Sequence, residues 1–160
     1  MIQSRNLKWQ WNPNTTVAAI IEKNDKFLLV EEEIDGKLVF NQPAGHLEKG
    51  ETLIEAVKRE VLEETTFEFE PKSLIGIYLY PNANNINITY LRFCFYGLCI
   101  KKHNDRKLDE GIIQTTWMSE QEIKKNNRMR SPMVSICVND YKDGKNFPLT
   151  LINSFSNDKK

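Results

Sequence analysis

Residues 45–67, GHLEKGETLIEAVKREVLEETTF, join a glycine-containing loop to a stretch crowded with carboxylates. Apolar side chains recur in this stretch at the three- and four-residue spacing of an amphipathic helix, at Leu53, Ile54, Val57 and Val61. Thr52 stands three residues before Glu55, which is the spacing of a capping box at a helix start. The pattern therefore predicts a helix over about residues 52–65, with an apolar side and an acidic side.

Three carboxylates stand close together on the acidic side of this helix. Glu60 lies three residues before Glu63 and four before Glu64, so their side chains share one helix surface. Each like-charge pair at such a spacing costs about 0.2–0.5 kcal/mol, and a bound cation reverses that sign. A few carboxylates, with substrate phosphates and water, are the usual ligands of Mg²⁺. From spacing alone, an ordinary solvated acidic face remains the alternative.

The wider spacing carries a family resemblance. Gly45, five residues, Glu51, seven residues and then REVLEE at 59–64 resemble the Nudix hydrolase signature G-x5-E-x7-R-E-U-x-E-E-x-G-U, where U is apolar. The match departs only at the last glycine, where Thr66 stands, and Phe67 fills the final apolar position. The resemblance implies an α+β protein with the Nudix fold, an α/β/α sandwich with a mixed β-sheet between helices.

Thr66 is where we expect the structure to differ from the pattern. Glycine at this position would end the helix in a left-handed conformation. A β-branched residue adopts that conformation only at a cost of about 1–2 kcal/mol. We therefore expect a changed helix end, with the metal site intact.

The resemblance also implies roles for the motif residues. The metal ligands are Gly45, through its carbonyl, and the carboxylates Glu60, Glu63 and Glu64, with Mg²⁺ as the cofactor and Mn²⁺ able to substitute. Among the catalytic residues, Glu51 and Arg59 tie the loop to the helix, since an arginine fork suits bidentate capture of a carboxylate. Glu60 is our first choice for the base that activates water. Asp109 and Glu110 are the alternative, because this family also takes its base from a distant loop.

Sequence blocks outside the motif resemble one subgroup of the family, the NudJ-type bacterial phosphatases. The blocks occur in the same order over roughly residues 12–152: NTTVA at 14–18, LVEE at 29–32, NQPAGHLE at 41–48, LRF at 91–93, RSP at 130–132 and FPL at 147–149. This implies removal of the terminal phosphate from nucleoside tri- and diphosphates, with hydroxymethylpyrimidine pyrophosphate as a further candidate. The alternatives are pyrophosphohydrolysis of ADP-ribose, nucleotide sugars, oxidised nucleotides or RNA 5′ ends, and a noncatalytic nucleotide sensor.

Basic side chains outside the helix are candidates for holding the phosphates of such a substrate. Arg92 lies within a predicted strand, and Arg128 and Arg130 precede a predicted helix. His46, beside Gly45, is a further candidate for substrate contact. For the arginines the alternative is a surface charge, and for His46 it is a hydrogen bond within the loop.

Composition bounds the remaining possibilities. With 160 residues, of which 40% are hydrophobic and 28% charged, we expect one domain over 1–160, with an N-terminal arm at 1–13 and a tail at 153–160. The formal net charge of zero argues against nonspecific nucleic-acid or membrane binding. Three cysteines without a CxxC pair indicate reduced thiols. We expect a cytoplasmic protein, a monomer or small homo-oligomer, with a small-molecule nucleotide or pyrophosphate as its partner.

Further elements follow from local patterns. Strands are predicted at 15–21, 27–33 and 38–40 before the motif, and at 73–80, 88–100 and 111–117 after it. A second capping box, Ser119 with Glu122, opens a short helix. Ser131 before Pro132 predicts a closing helix from Met133 to Tyr141.

Overall fold

The computed structural model describes residues 11–83 and 85–155, in which two four-stranded sheets and three helices are formed. The first sheet is mixed, because its central strands run parallel and its outer pairs antiparallel. Its strands, in spatial order, are Ala44–His46 (β5), Asn14–Ile20 (β1), Thr89–Lys102 (β7) and Phe67–Pro81 (β6).

The second sheet is antiparallel throughout. Its longest strand pairs with each of the other three and so holds the sheet together. The strands are Glu22–Lys23 (β2), Lys26–Ile34 (β3), Lys37–Asn41 (β4) and Ile112–Ser119 (β8).

Helices cover both faces of the mixed sheet, and this arrangement confirms the predicted α/β/α sandwich. Alternate residues of a strand point to opposite faces, so Val17 of β1 packs with the helix Leu53–Thr65 (α1), while Ala18 packs with the helix Met133–Lys142 (α3). Both side chains are fully buried. The predicted apolar stripe of α1 is also found, since Val57 and Val61 are fully buried against this sheet.

Both predicted capping boxes are present. Thr52 Oγ1 accepts from the Glu55 backbone N–H at 3.2 Å, and a Glu55 carboxylate oxygen accepts from the Thr52 N–H at 2.7 Å. Ser119 and Glu122 make the same reciprocal pair at the start of the helix Glu120–Lys125 (α2). Each box satisfies two of the backbone donors that a helix start leaves unpaired.

The strand predictions are right in kind and wrong in extent. Four strands, not three, precede the motif, because the chain leaves β1 for the second sheet and forms β2 there. Gly45 lies within β5, which pairs with β1, and not in a loop. β6 begins at Phe67, directly after α1, and is about twice the predicted length. These differences arise from pairing with distant strands, which a local pattern does not contain.

The predicted change at the end of α1 is wrong. Thr66 itself adopts the left-handed conformation, with φ 63° and ψ 9°, and its N–H donates to the Leu62 carbonyl at 3.0 Å. The chain must then enter β6 at once, and the Thr66 carbonyl accepts from the His103 N–H at 2.9 Å. The helix therefore ends as it would with glycine, and the strain is borne by Thr66.

Parts of the predicted arm and tail lie outside the described residues, namely 1–10 and 156–160. Just before the predicted tail, Leu149–Leu151 form a 3₁₀ turn, and Phe147 exchanges two backbone hydrogen bonds with Leu74 of β6. No helix among residues 11–83 and 85–155 is long and apolar enough to cross a membrane.

The strain at Thr66 leads to a stability prediction. Thr66→Gly and Thr66→Ala both remove the side chain, but only glycine adopts positive φ without cost. We expect the glycine variant to be more stable than the alanine variant by about 1 kcal/mol. Urea denaturation of the two proteins measures this difference, and equal midpoints would show that position 66 carries no backbone strain.

Candidate active site

Arg59 is the centre of the hydrogen bonding around the motif. Its guanidinium grips Glu51 bidentately, with Nε to Oε2 at 3.0 Å and Nη2 to Oε1 at 2.7 Å. Its Nη1 reaches Glu60 Oε1 at 2.7 Å and Glu63 Oε2 at 3.3 Å. The two planar groups match in a fork-to-fork contact, which is stronger and more directional than a single charge-assisted bond. One side chain thus orients three carboxylates.

The same guanidinium reaches β5. Arg59 Nη2 donates to the His46 carbonyl at 2.9 Å, and Glu51 Oε1 accepts from the Glu48 N–H at 2.7 Å. The first bond reaches the last residue of β5, and the second lies in the segment between β5 and α1. Glu51 and Arg59 therefore fasten the loop to the helix.

Glu64 carries the largest electrostatic cost at the site. Its side chain is buried, with 8% of its surface exposed, and Oε2 accepts from the Ala44 N–H at 2.9 Å. Burial raises the pKa of Glu64 to about 8, and the charges of Glu60 and Glu32 add to this, while the Ala44 N–H opposes it. A nearby cation would favour the charged form and remove this cost.

Glu60 and Gly45 are in direct contact. A Cβ placed on Gly45 would overlap the Glu60 carboxyl group. Burial also raises the pKa of Glu60, and the hydrogen bond from Arg59 only partly opposes the effect. Gly45 thus leaves room for the Glu60 carboxyl group beside β5, which is a separate reason for glycine from the carbonyl ligand that the resemblance implied.

The three carboxylates Glu60, Glu63 and Glu64, called here the acidic wall, have the oxygen chemistry that hard divalent cations prefer. Within the described residues, however, no group of three or more His, Cys, Asp or Glu side chains is assembled so that it could hold a metal ion. Arg59 Nη1 donates to both Glu60 and Glu63. The donor set fits a divalent cation, and the cation has to compete with Arg59 for two of its ligands.

The loop that carries the alternative base is held against the acidic helix. The Asp109 N–H donates to the Glu63 carbonyl at 3.0 Å, and the Gly111 carbonyl accepts from the Glu33 N–H at 3.0 Å. Asp109 and Glu110 are both exposed. The structure therefore brings this loop to the acidic wall, although more than forty positions separate Asp109 from Glu63 in the sequence.

A cavity of about 440 Å³ opens beside β5. We call it the Gly45 cavity, because Gly45 is one of the residues that line it. Of the four predicted substrate-binding residues, His46, Arg92 and Arg130 line it. Arg130 Nη1 also donates to Glu32 Oε2 at 2.7 Å. The cavity thus carries positive charge at its wall, next to the strand that contacts the acidic wall.

Arg128 does not line the Gly45 cavity. Its Nη1 donates to Glu31 Oε1 at 2.8 Å, and its guanidinium lies 4.4 Å from the centre of the Phe40 ring. The carboxylate and the aromatic face account for this charge without a ligand. The structure therefore separates Arg128 from the other predicted substrate-binding residues.

Several residues at the site were not identified from the sequence. Glu32 holds Arg130, and Tyr80, Tyr90 and Asn41 line the Gly45 cavity. In the sequence, the aromatic and charged residues of these strands do not differ from those of any other β-strand. The one available signal was alternation, because Tyr90 and Arg92 lie two residues apart and so share a face.

Comparison with known proteins decides the family. The sequence matches the NUDIX domain over residues 12–135. The chain belongs to the Nudix hydrolase family. It is 37% identical over 150 residues to Phosphatase NudJ of Shigella boydii serotype 4, a match that covers 91% of this chain and 94% of the relative. Phosphatase NudJ of Escherichia coli K12 is 36% identical over the same coverage.

Solved structures show the same relationship. A NUDIX hydrolase from Nitrosomonas europaea is 49% identical and superposes with a TM-score of 0.87, over 90% of this chain and 98% of that chain. The MutT protein of Methanosarcina mazei shares the fold at 21% identity, with a TM-score of 0.69, over 86% of this chain and 99% of that chain. This Nudix protein is accordingly a phosphatase or pyrophosphatase that hydrolyses phosphorus-containing anhydrides, and Nudix hydrolases generally use divalent cations.

The contact between Gly45 and Glu60 makes a specific prediction. In Gly45→Ala the new methyl group displaces the Glu60 carboxylate from its place beside Arg59. We expect at least tenfold weaker Mn²⁺ binding, measured by electron paramagnetic resonance, with little loss of stability, because only the end of a flexible side chain has to move.

Gly144→Ala is the matched control. Gly144 has φ 84° and open space around its Cβ position, so alanine there costs about 1–2 kcal/mol of stability. It should leave Mn²⁺ binding unchanged. Unaltered Mn²⁺ affinity in Gly45→Ala would show that the place of Glu60 beside Gly45 does not matter for the metal.

Proposed function

We propose that this Nudix hydrolase is a Mg²⁺-dependent phosphatase that releases the terminal phosphate of nucleoside tri- and diphosphates, with hydroxymethylpyrimidine pyrophosphate as a further substrate. The observation that carries the proposal is the acidic wall, two of whose carboxylates are oriented by Arg59, beside a cavity lined by two arginines. Likeness to the NudJ phosphatases over most of the chain supports the choice of terminal phosphate.

In this proposal the acidic wall holds the cation, with Glu60, Glu63 and Glu64 as carboxylate ligands and the Gly45 carbonyl beside them. Mg²⁺ is the expected ion, and Mn²⁺ substitutes for it. A bound divalent cation offsets phosphate charge and lowers the pKa of a bound water. The burial that raises the pKa of Glu64 supports its place in this set, because a buried carboxylate gains most from a cation.

Glu51 and Arg59 orient the other residues in this proposal. Glu51 accepts from the Nε and Nη2 edge of the guanidinium and leaves Nη1 directed at Glu60 and Glu63. Arg59 therefore stabilises the like-charged wall before a cation arrives, and keeps the β5 segment in place through the His46 carbonyl. Neither side chain needs to exchange a proton.

Glu60 is the proposed base that takes a proton from the attacking water, and its raised pKa suits that task better than an ordinary carboxylate does. Asp109 and Glu110 remain the alternative. Contact between the Asp109 backbone and the Glu63 carbonyl supports keeping this loop in consideration.

Arg130 and Arg92 are the proposed phosphate-binding cations, with His46 at the same wall. A guanidinium suits phosphate because its donors form a planar fork. Arg128, which is engaged by Glu31 and Phe40, has no such part in the proposal.

A product assay tests the reaction. The purified protein is incubated with nucleoside tri- and diphosphates and Mg²⁺, and free phosphate, pyrophosphate and nucleoside monophosphate are measured separately. We expect free phosphate as the released product. Pyrophosphate release from a triphosphate would reject the terminal phosphatase, turnover of ADP-ribose or a nucleotide sugar alone would change the substrate, and tight nucleotide binding without turnover would indicate a sensor.

Glu64→Gln tests the metal site in the same assay. The substitution removes charge without changing volume, so we expect turnover to fall more than tenfold while circular dichroism shows an unchanged fold. The thermal stabilisation that Mg²⁺ gives the wild type should also be lost. Full turnover at saturating Mg²⁺ would remove Glu64 from the proposed ligand set.

The paired arginines provide a matched comparison for substrate binding. Arg128→Gln and Arg130→Gln each leave a buried glutamate without its guanidinium, so both should lower stability to a similar extent. Only Arg130→Gln should raise KM for a nucleoside triphosphate, by about tenfold for the loss of one charged contact. Equal KM values in steady-state kinetics would show that Arg130 does not contact phosphate.

A further inference from the structure

Glu31 and Glu32 are neighbouring buried carboxylates of β3 that differ in how completely they are paired. Their exposed fractions are 6% and 7%. Arg128 donates to Oε1 of Glu31 at 2.8 Å, and Gln114 donates to Oε2 of the same carboxylate at 2.6 Å. Arg130 donates to Oε2 of Glu32 at 2.7 Å, but Oε1 of Glu32 is buried and has no hydrogen-bond partner among the described residues. Buried polar atoms in native proteins rarely stay unpaired, so this oxygen indicates a missing ligand.

Alternation along β3 directs Glu32 toward α1. Leu28 lies four residues earlier, on the same face of the strand, and it packs in one cluster with Val57 and Val61 of the helix. Glu64 follows Val61 by three residues and continues the same face of α1. The open carboxylate of the strand and the buried carboxylate of the helix therefore both face the packing between these two elements.

The loop at 103–111 holds the matching ends of β3 and α1 together. One of its backbone N–H groups donates to the Glu63 carbonyl, and one of its carbonyls accepts from the Glu33 N–H, each at 3.0 Å. Glu64 follows Glu63 in the helix, and Glu32 precedes Glu33 in the strand. The two carboxylates thus lie at the ends that this loop connects.

The charges of Glu32 and Arg130 both act on Glu64. Burial is the main cause of the raised pKa of Glu64, the charges of Glu60 and Glu32 add to it, and the charge of Arg130 opposes it. Buried carboxylates that repel one another are costly unless positive charge lies between them. In the protein without a metal ion, Arg130 supplies that charge.

The chemistry of the open oxygen selects the missing ligand. An ionised carboxylate only accepts hydrogen bonds, and the negative charges of Glu32 and Glu64 repel an anion. A hard divalent cation takes carboxylate oxygens from separate elements and fills its other positions with water and phosphate. Such a cation satisfies the oxygen and removes the repulsion between the two carboxylates at the same time.

We propose that Glu32 is a further ligand, supplied by the second sheet, of the divalent cation that Glu64 binds, and that Arg130 holds the place of this cation in its absence. The inference rests on the proposed function, since it extends the ligand set proposed for the acidic wall. When the cation binds, it replaces Arg130 on Glu32. The guanidinium is then free for a phosphate of the substrate in the Gly45 cavity, which Arg130 already lines.

Mn²⁺ affinity, measured by electron paramagnetic resonance at one pH and without nucleotide, tests the inference separately from turnover. We expect Glu32→Gln to bind Mn²⁺ about tenfold more weakly than the wild type, because a ligand and its charge are both lost. Glu32→Asp keeps the charge but draws the carboxylate back by one methylene group. A ligand is sensitive to that change, so Mn²⁺ binding should weaken by about threefold or more.

Glu31→Gln is the matched control. It removes an equally buried, arginine-paired carboxylate from the opposite face of β3, so Mn²⁺ affinity should stay within about twofold of the wild type. A second pair of variants tests the place of Arg130. Arg130→Gln removes the competitor of the cation, and Mn²⁺ should bind about threefold more tightly. Arg128→Gln removes the same charge from Glu31 and should leave Mn²⁺ affinity unchanged.

Wild-type Mn²⁺ affinity in Glu32→Asp would overturn the inference, because an effect of charge alone survives that substitution. Equal weakening in Glu31→Gln and Glu32→Gln would overturn it as well, and so would unchanged or weaker Mn²⁺ binding in Arg130→Gln. If Glu32→Gln does not fold, Glu32→Asp and Arg130→Gln decide the question.

The proposed function fails separately, in the product assay. A protein whose Mn²⁺ affinity depends on Glu32 but that releases no phosphate keeps this ligand and loses the phosphatase. Phosphate release by a protein whose Mn²⁺ affinity is the same in Glu32→Asp does the reverse.

Discussion

The site depends on the contact between Arg59 and its carboxylates. A helix that presents several glutamates on one surface is opposed by their mutual repulsion, and burial of part of that surface adds to the cost. Arg59 offsets both, because one guanidinium binds Glu51, Glu60 and Glu63 and also reaches the His46 carbonyl. The same contact that neutralises the wall also fastens the preceding segment, so charge balance and geometry are coupled.

Burial imposes a desolvation cost on the charged Glu64 carboxylate, and Arg59 does not offset it. Glu64 is buried against β5, and its carboxylate accepts a hydrogen bond from the Ala44 N–H. Its raised pKa means that the isolated protein favours the neutral form more than a surface glutamate does. A carboxylate kept in such a place is poorly explained by stability. It is well explained by a cation that binds the charged form, which is the function proposed for the acidic wall.

The two arginine–glutamate pairs show how alternation along a strand decides function. Glu31 and Glu32 are neighbours on β3, and neighbouring side chains point to opposite faces. Arg128 pairs with Glu31 and lies over the Phe40 ring. Arg130 pairs with Glu32 and lines the Gly45 cavity. In the sequence the two arginines look equivalent, since each stands in the same short basic segment. In the fold they occupy different surroundings.

Prediction from the sequence was strong wherever the decisive interactions are local. The helix, its capping box and its apolar stripe all lie within one stretch, and residues 45–67 also carried the family and the reaction class. The prediction from local pattern was wrong at Thr66. There β6 begins at the next residue and the His103 N–H donates to the Thr66 carbonyl, and Thr66 adopts a left-handed conformation that threonine disfavours. The local pattern also missed β5, because an edge strand of three residues exists only through its pairing with β1.

The sequence by itself determined the Nudix motif, the residues that contribute carboxylates, and the sandwich of helices on a mixed sheet. The shared helix surface of the carboxylates follows from the spacing of 3.6 residues per helical turn, whereas the sandwich is what the resemblance to the Nudix family implied. Tertiary structure alone decided that Arg92 and Arg130 share a cavity while Arg128 does not, and that Thr16 and Asn41 meet there. These residues come from β1, β4, β7 and the segment before α3, and their proximity results from pairing and packing between distant parts of the chain.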